Sequence, residues 1–279
     1  MLSYRHGFHA GNFTDVHKHV VLILLLEHLL EKDTPYCYLD THAGAGTYDL
    51  QSRFAATNRE FETGIARLWG ATDCPPAVAR YLEVVRLFNR DALRTYPGSP
   101  AIARRFLRPH DRMILSELHN SEAPQLRQCF ARDRQVAVHH RDGFEALPAL
   151  VPPRERRGVV LIDPSYELRN EFITATDSLT GAWRRWPTGT YLLWYPLQRR
   201  QPIEPFKRAV RKSPIRKVLS SELLLGPDRA ASRLSGSGLL IVNPPWRLDH
   251  TLRGTLPWLE QKLEWGEHAA SRTEWLVPE

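Results

Sequence analysis

The chain has 279 residues, 42% of them hydrophobic, with 38 Lys and Arg against 31 Asp and Glu for a net charge of +7. That apolar fraction is enough to build a core, which excludes a wholly disordered chain. Cys37, Cys74 and Cys129 lie far apart with no CxxC pair, which argues against a disulfide framework or a structural zinc site and fits reduced cytosolic thiols. Residues 20–26 are the longest apolar run, closed by Glu27 and His28. A membrane span needs about 20 residues, and Glu31-Lys32-Asp33 follows where a signal peptide would carry a cleavage site. The expectation is a soluble, cytoplasmic protein with no membrane partner. Its positive charge suits an acidic partner, nucleic acid first, although Arg outnumbers Lys 32 to 6, a bias that genome composition also produces.

In chain order, Val16, Val20, Ile23 and Leu24 keep one face of a 3.6-residue period. This predicts a helix over 15–32, capped by Thr14 and stopped at Asp33-Thr34-Pro35. A first strand over 36–39 runs into Asp40-Thr41-His42-Ala43-Gly44-Ala45-Gly46. The stretch from about 48 to 107 is too long for an ordinary crossover. Helical segments around 59–69 and 77–89 make it an inserted helical subdomain, returning through Tyr96-Pro97-Gly98-Ser99-Pro100. Strands over 113–116, 136–139, 159–162 and 190–194 alternate with helical stretches, the pattern of βαβ units. Segments 217–223 and 239–242 have no helix between them and read as a terminal antiparallel hairpin. The expected architecture is one α/β domain over 1–279 with a mostly parallel, seven-stranded sheet.

Gly44 and Gly46 permit a tight turn and close approach of backbone to a ligand. The loop has neither the GxxxxGK[ST] of triphosphatases nor the GxGxxG of dinucleotide enzymes. Glu117, ending the second strand, can accept both hydroxyls of a ribose, and Asp142, after the third, can accept from an adenine amine. Together they spell a site for an adenosyl ligand without phosphate. The fourth strand ends in Asp163-Pro164-Ser165-Tyr166, which resembles the Asp-Pro-Pro-Tyr signature of amino methyltransferases. An adenine amine is a poor nucleophile because its lone pair is delocalised into the ring. The Asp163 carboxylate and the Pro164 carbonyl can hold its two hydrogens while the Tyr166 ring stacks on the base. The chemistry is then in-line attack on a sulfonium methyl, helped by positioning and electrostatics. Asn243-Pro244-Pro245-Trp246 keeps both prolines and competes for this role, but it follows the last strand, so it is read as structural.

The first nineteen residues carry His6, His9, His17 and His19 with Tyr4, Arg5, Asn12, Asp15 and Lys18. HxxH and HxH are metal-ligand spacings, but no His-Glu-x-x-His and no nearby Cys complete a metal site. A polar lip of the active site, touching cofactor and substrate, fits better, and no metal is expected. Basic clusters at Arg199-Arg200, at 207–217 and at Arg104, Arg105 and Arg108 read as phosphate contacts or as solvated faces.

Met1-Leu-Ser-Tyr-Arg-His-Gly-Phe-His-Ala-Gly-Asn, Leu39-Asp-Thr-His-Ala-Gly-Ala-Gly, Tyr96-Pro-Gly-Ser-Pro, Asp163-Pro-Ser-Tyr, Asn243-Pro-Pro-Trp and Trp275-Leu-Val-Pro-Glu together resemble the 23S ribosomal RNA adenine-N6 methyltransferase family RlmJ, from Met1 to Glu279. The resemblance implies a Rossmann-like class I methyltransferase with a helical insertion, S-adenosylmethionine as methyl donor and 23S ribosomal RNA as partner, free or in an early assembly intermediate. It implies the adenine at position 2030 of that RNA as target. Carried over by motif, His19, His42, Ser99, Glu117, Asp142 and Gly143 would contact S-adenosylmethionine. Asp163 would accept from the target amine, and Tyr4 would touch the RNA. Ser165 departs from the family's second proline, which puts the stiffness of that loop in question. A monomer is the expected form. The alternatives are a DNA adenine methyltransferase and a non-catalytic RNA-binding factor retaining the fold; no separate DNA-reading module is apparent, and intact Asp163 and Tyr166 favour an enzyme.

Overall fold

In the computed structural model, which describes residues 5–168, 170–198, 201–226, 234–266 and 269–279, the first helix is Phe13–Leu30. Asn12, rather than Thr14, caps it: the Asn12 side-chain oxygen accepts from the backbone N–H of Thr14 and of Asp15. Asn is the stronger cap and sits one turn ahead of the periodic stripe. Fourteen of the eighteen helix residues are buried, because the helix is sandwiched between the sheet and the helices Pro76–Arg86 and Ser99–Arg104. Tyr4 and Arg199-Arg200 lie outside the described residues.

The strands are β1 (Cys37–Asp40), β2 (Thr47–Asp49), β3 (Thr95–Pro97), β4 (Arg112–Glu117), β5 (Val136–His140), β6 (Gly158–Ile162), β7 (Thr190–Leu197), β8 (Val218–Leu224), β9 (Gly236–Val242) and β10 (Ala270–Val277). The main sheet runs β10-β8-β9-β7-β6-β1-β4-β5. From β5 to β7 every pairing is parallel, and β9 lies antiparallel between β7 and β8. The sheet therefore has eight strands, one more than the sequence shows. The addition is β10, antiparallel on β8. Ser271, Arg272, Thr273 and Glu274 give it no apolar alternation, as suits a charged edge strand. β2 and β3 form a separate ribbon. Between them run the short helices Arg53–Asn58, Glu60–Thr63 and Ile65–Leu68 and the longer Pro76–Arg86.

Two apolar layers cover the sheet. One is built on Val20, Leu22, Ile23 and Leu26 of the first helix, the other on Phe172, Leu179 and Phe206. Direction is what matters for function. β1, β4, β5, β6 and β7 all end at the same edge, and the order of chain travel reverses at β1, the place where open α/β sheets bind ligands. β9 runs the other way: Val242 pairs with Tyr191 at the start of β7, and Gly236 with Leu197 at its end. Asn243 therefore sits at the opposite edge of the sheet from Asp163.

Candidate active site

A cleft of about 650 Å³ opens where β1, β4, β5 and β6 end, lined among others by His19, His42, Ser99, Glu117, Asp142, Gly143 and Asp163. At its floor, Asp40 is fully buried and accepts from the Tyr38 hydroxyl at 2.6 Å, the Ser99 hydroxyl at 2.7 Å and the His42 backbone N–H at 3.2 Å. Burial pushes the Asp40 carboxyl up to about 6 against those hydrogen bonds. Ser99 thus helps anchor the glycine loop as well as facing the cleft. Glu117 holds the other side of the loop: its two oxygens accept from the N–H of Gly44 and of His119, each at 2.7 Å. Gly44 has φ +60°, and a Cβ there would lie 2.0 Å from the Tyr48 hydroxyl. Each carboxylate oxygen of Glu117 still has a lone-pair site for a ligand hydroxyl.

Asp142 caps the helix Gly143–Leu150, accepting from the N–H of Phe144 and of Glu145 through Oδ1. A Cβ on Gly143 would lie 2.0 Å from the Thr41 carbonyl oxygen, so only glycine lets this turn close onto the β1 loop. The edge of Phe144 meets the His42 ring at 4.9 Å. Burial keeps His42 below its usual pKa and takes His19, whose Nδ1 shares a hydrogen bond with the Tyr96 hydroxyl at 2.8 Å, down to about 3. Both present neutral imidazoles to the cleft.

The Asp163 loop is tied to the first helix. Lys18 Nζ lies 2.5 Å from Asp163 Oδ2 and 2.8 Å from Asp15 Oδ1, and Asp15 Oδ2 is 2.9 Å from His6 Nε2. Burial opposes every charge in this chain, but the opposite charges outweigh it. Lys18 and His6 are held above their ordinary pKa values and Asp15 well below its own. Asp163 therefore faces the cleft paired with Lys18.

Tyr166 is placed differently from the stacking role expected of it. It has φ +53°, its ring packs on Phe172 at 4.3 Å and Trp194 at 5.7 Å, and its hydroxyl donates to the Trp194 carbonyl at 2.8 Å. Tyr166 and Pro164 are both buried rather than lining the cleft, whereas Ser165 lines it. The histidines of the expected lip divide. His6 and His19 line the cleft, His9 pairs with Glu60, and His17 shares hydrogen bonds with the hydroxyls of Ser221 and Ser237. Residues two apart on a helix face different ways, so the HxH spacing brings no ligands together. No cluster of metal-ligating side chains occurs among the described residues. Asn243 is structural: with φ +51°, its amide donates to the carbonyls of Pro187 and Gly189, both at 2.8 Å.

A family model described as ribosomal RNA large subunit methyltransferase D, RlmJ, matches residues 33–277. The chain belongs to the RlmJ family. Among its relatives, the protein named ribosomal RNA large subunit methyltransferase J from Escherichia coli K12 is 45% identical over 280 residues, and that of Haemophilus influenzae Rd is 42% identical over 281. Both alignments cover all of each chain. The crystal structure of protein LPL1258 from Legionella pneumophila superposes with a TM-score of 0.89 at 36% identity, covering 96% of this chain and 98% of that one.

The donor set of this RlmJ member suits an adenosyl sulfonium ligand. Among the described residues, six carboxyl side chains line the cleft, Glu117, Glu122, Asp142, Asp163, Glu167 and Glu171, against the basic side chains of Lys18, bound to Asp15 and Asp163, and His6, bound to Asp15. Such a wall attracts a cation and repels a polyphosphate. The glycine cradle, the acids at successive strand ends and the aromatic edge of Phe144 fit ribose hydroxyls and an adenine. Glu122 and Phe144 escape a reading of the sequence. Phe144 follows Asp142-Gly143 directly, which is the signal for it; Glu122 lies in the next helix and has none.

Proposed function

We propose that this chain transfers a methyl group from S-adenosylmethionine to the exocyclic N6 of one adenine in 23S ribosomal RNA. By the family resemblance, that adenine is the one at position 2030. The observation that carries the reading is the Asp163 loop, which opens into the same acid-lined cleft as the glycine loop and Glu117. S-adenosylmethionine, when bound, supplies an electrophilic methyl on a sulfonium sulfur. Glu117 is the residue for its ribose hydroxyls and Asp142 for its adenine amine, with His42, Gly143, Ser99 and His19 along the rest of the cleft.

Asp163 Oδ2 is engaged by Lys18, which leaves Oδ1 to accept a hydrogen from the target amine; the sequence motif makes the Pro164 carbonyl the second acceptor, although Pro164 does not line the cleft. Held by both, the amine nitrogen can pyramidalise and direct its lone pair outward. Lys18 holds Asp163 in place, which is positioning and electrostatics rather than proton transfer. Tyr166 supports the loop from behind in the geometry described, and Tyr4 is the residue assigned to the RNA.

The test is transfer of a labelled methyl group to protein-free 23S RNA from a strain lacking the enzyme, with the modified nucleotide mapped. A short hairpin carrying the target should also be methylated, because the N6 amine lies on the Watson–Crick edge and must be unpaired or flipped out. Rates should fall as salt rises, since phosphate contacts release counterions. Label on duplex DNA instead, or cofactor binding with no label on any RNA, would favour the DNA enzyme or the non-catalytic factor.

A further inference from the structure

Trp246 is 90% exposed, although the turn that carries it is anchored by four hydrogen bonds of Asn243. Asn243 ties that turn to two segments, 187–190 and Lys217. Its amide donates to the carbonyls of Pro187 and Gly189, its backbone N–H donates to the Lys217 carbonyl at 2.9 Å, and its own carbonyl accepts from the Thr190 hydroxyl at 3.3 Å. Pro244 and Pro245 then fix two backbone torsions, and Leu248 and Leu252 root the following helix in the core. A large aromatic side chain displayed on rigid backbone has little conformational freedom to lose on contact, which is what a stacking surface needs.

The charge around it selects the partner. Arg184 and Arg185 end the helix that leads to Pro187, Arg216 precedes Lys217, and Arg247 follows Trp246. All four are exposed, and none has a carboxylate partner among the described residues. Lys217 is paired with Glu279. An aromatic face among arginines that lack a counter-charge is the composition that binds single-stranded nucleic acid by stacking and phosphate contact; a protein-binding patch of this exposure would be expected to carry further apolar side chains around the aromatic.

We propose that Trp246, with Arg184, Arg185, Arg216 and Arg247, forms a second RNA-contact surface, on which an unpaired base of the substrate RNA stacks away from the target adenine. It lies at the start of β7, at the opposite edge of the sheet from the cleft; Ile162 pairs with Leu193, so Asp163 stands level with the fifth residue of β7, roughly 13 Å along the strand from Thr190. Because the two surfaces face opposite ends of the sheet, a short hairpin seated in the cleft should not bridge them, whereas a long RNA can wrap from one to the other. The proposal rests on the RNA-methylating reading only for the identity of the RNA.

The experiment compares methyl transfer to a short target hairpin and to full-length protein-free 23S RNA, for the wild-type chain, Trp246→Ala, Trp246→Phe and the double variant Arg184→Ala/Arg216→Ala. The wild-type hairpin reaction tests the activity itself, so its failure is separate from failure of the second surface. Trp246→Ala should raise KM for the long RNA about tenfold or more, on the scale of losing one stacked base. It should leave kcat unchanged, and KM for the hairpin too. Trp246→Phe should recover most of the loss. The arginine variant should lower the salt dependence of long-RNA binding, by about 0.7–0.9 in slope for each phosphate that is no longer neutralised. Equal KM values for wild type and Trp246→Ala on the long RNA would overturn the proposal. So would a parallel loss on the hairpin, or a defect confined to protein-containing ribosomal particles, which would assign the surface to a protein.

Discussion

Lys18 and Asp163 are 145 residues apart in the chain, yet their side chains meet at 2.5 Å, with Lys18 also 2.8 Å from Asp15. The ammonium is almost fully buried, so removing it leaves two carboxylates without their counter-charge. Lys18→Met should destabilise the fold by about 3 kcal/mol or more, the scale for breaking a buried pair, and should lower turnover because Asp163 loses its anchor. Asp163→Ala should abolish turnover while cofactor affinity stays within a few-fold, since Glu117, Asp142 and the glycine loop are untouched. Urea unfolding, calorimetric titration of the cofactor and single-turnover methyl transfer read the three effects. Near-wild-type turnover in Asp163→Ala would remove the loop from catalysis.

Glu117 fastens the glycine loop before any ligand arrives. Glu117→Ala leaves the N–H groups of Gly44 and His119 without their acceptor, so it should cost about 1–3 kcal/mol of stability as well as weakening S-adenosylmethionine. Glu117→Gln keeps one acceptor oxygen and should fall between. A variant that loses cofactor affinity with no change in thermal unfolding would show that the loop holds without this residue.

Gly143→Ala places a methyl 2.0 Å from the Thr41 carbonyl oxygen, a backbone atom that cannot swing aside. The helix start must back away from β1, so both stability and cofactor affinity should drop, in contrast to Gly70→Ala, where a Cβ meets nothing within 4 Å. Differential scanning calorimetry of the two variants side by side makes the comparison; equal melting temperatures would contradict it.

Ser165 lines the cleft, and its hydroxyl makes no hydrogen bond among the described residues. Ser165→Ala should leave stability and kinetics unchanged. Ser165→Pro, restoring the family's residue, should gain a few tenths to about 1 kcal/mol through the unfolded chain and leave turnover equal or modestly raised. A large fall in turnover for both variants would give the hydroxyl a part in substrate binding.

Stability should have a plateau in mild acid. Burial takes His17 and His19 down to about 3 from 6.5, so the unfolded chain binds more protons between those values and stability falls as pH drops. Burial has the opposite consequence for Asp40, raised from 3.8 to about 6, and Glu122, raised from 4.5 to about 7. There the folded chain keeps the protons, and stability falls as pH rises. The two pairs nearly cancel between about pH 4.5 and 6. Below about pH 4 the imidazoles act together with Asp15, whose lowered pKa gives a contribution lost in acid. Above 6.5 the raised pKa of His6 adds to the decline, since its contribution disappears as it deprotonates. Urea midpoints of the cofactor-free protein should be flat across that window, fall steeply below it and fall gently above it. A steady rise from pH 4 to 8 would contradict the balance.

The parallel core and the acids at its edge are legible in the sequence because both are local signals: apolar runs mark β1, β4, β6 and β7, while Glu117 ends β4, Asp142 comes two residues after β5 and Asp163 directly follows β6. The pairing of Lys18 with Asp163 is not legible, since nothing local to residue 18 points to residue 163. Tyr166 reads as a stacking ring, but its rotation toward Phe172 and Trp194 depends on the positive φ of one residue and on two distant aromatics. β10 is hidden by its polar edge composition. The place of Asn243 at the far edge follows only once β9 is known to run antiparallel beside β7.

His17 couples the earliest helix to the latest strands of the sheet's centre. Its two ring nitrogens meet Ser221 and Ser237, 204 and 220 residues further along. A ribosome adds about 5–20 residues per second, so roughly 10–45 s separates the synthesis of that helix from the synthesis of its binding surface on β9. During that interval the helix can pack on Pro76–Arg86, Ser99–Arg104 and β6, but it lacks β9. A nascent chain truncated after β7 already holds Lys18, Asp163 and Glu117 but lacks the Ser221 and Ser237 hydroxyls that hold His17, so it should be less active than the full chain. Full packing of the helix, and with it methylating competence, is therefore expected late in synthesis.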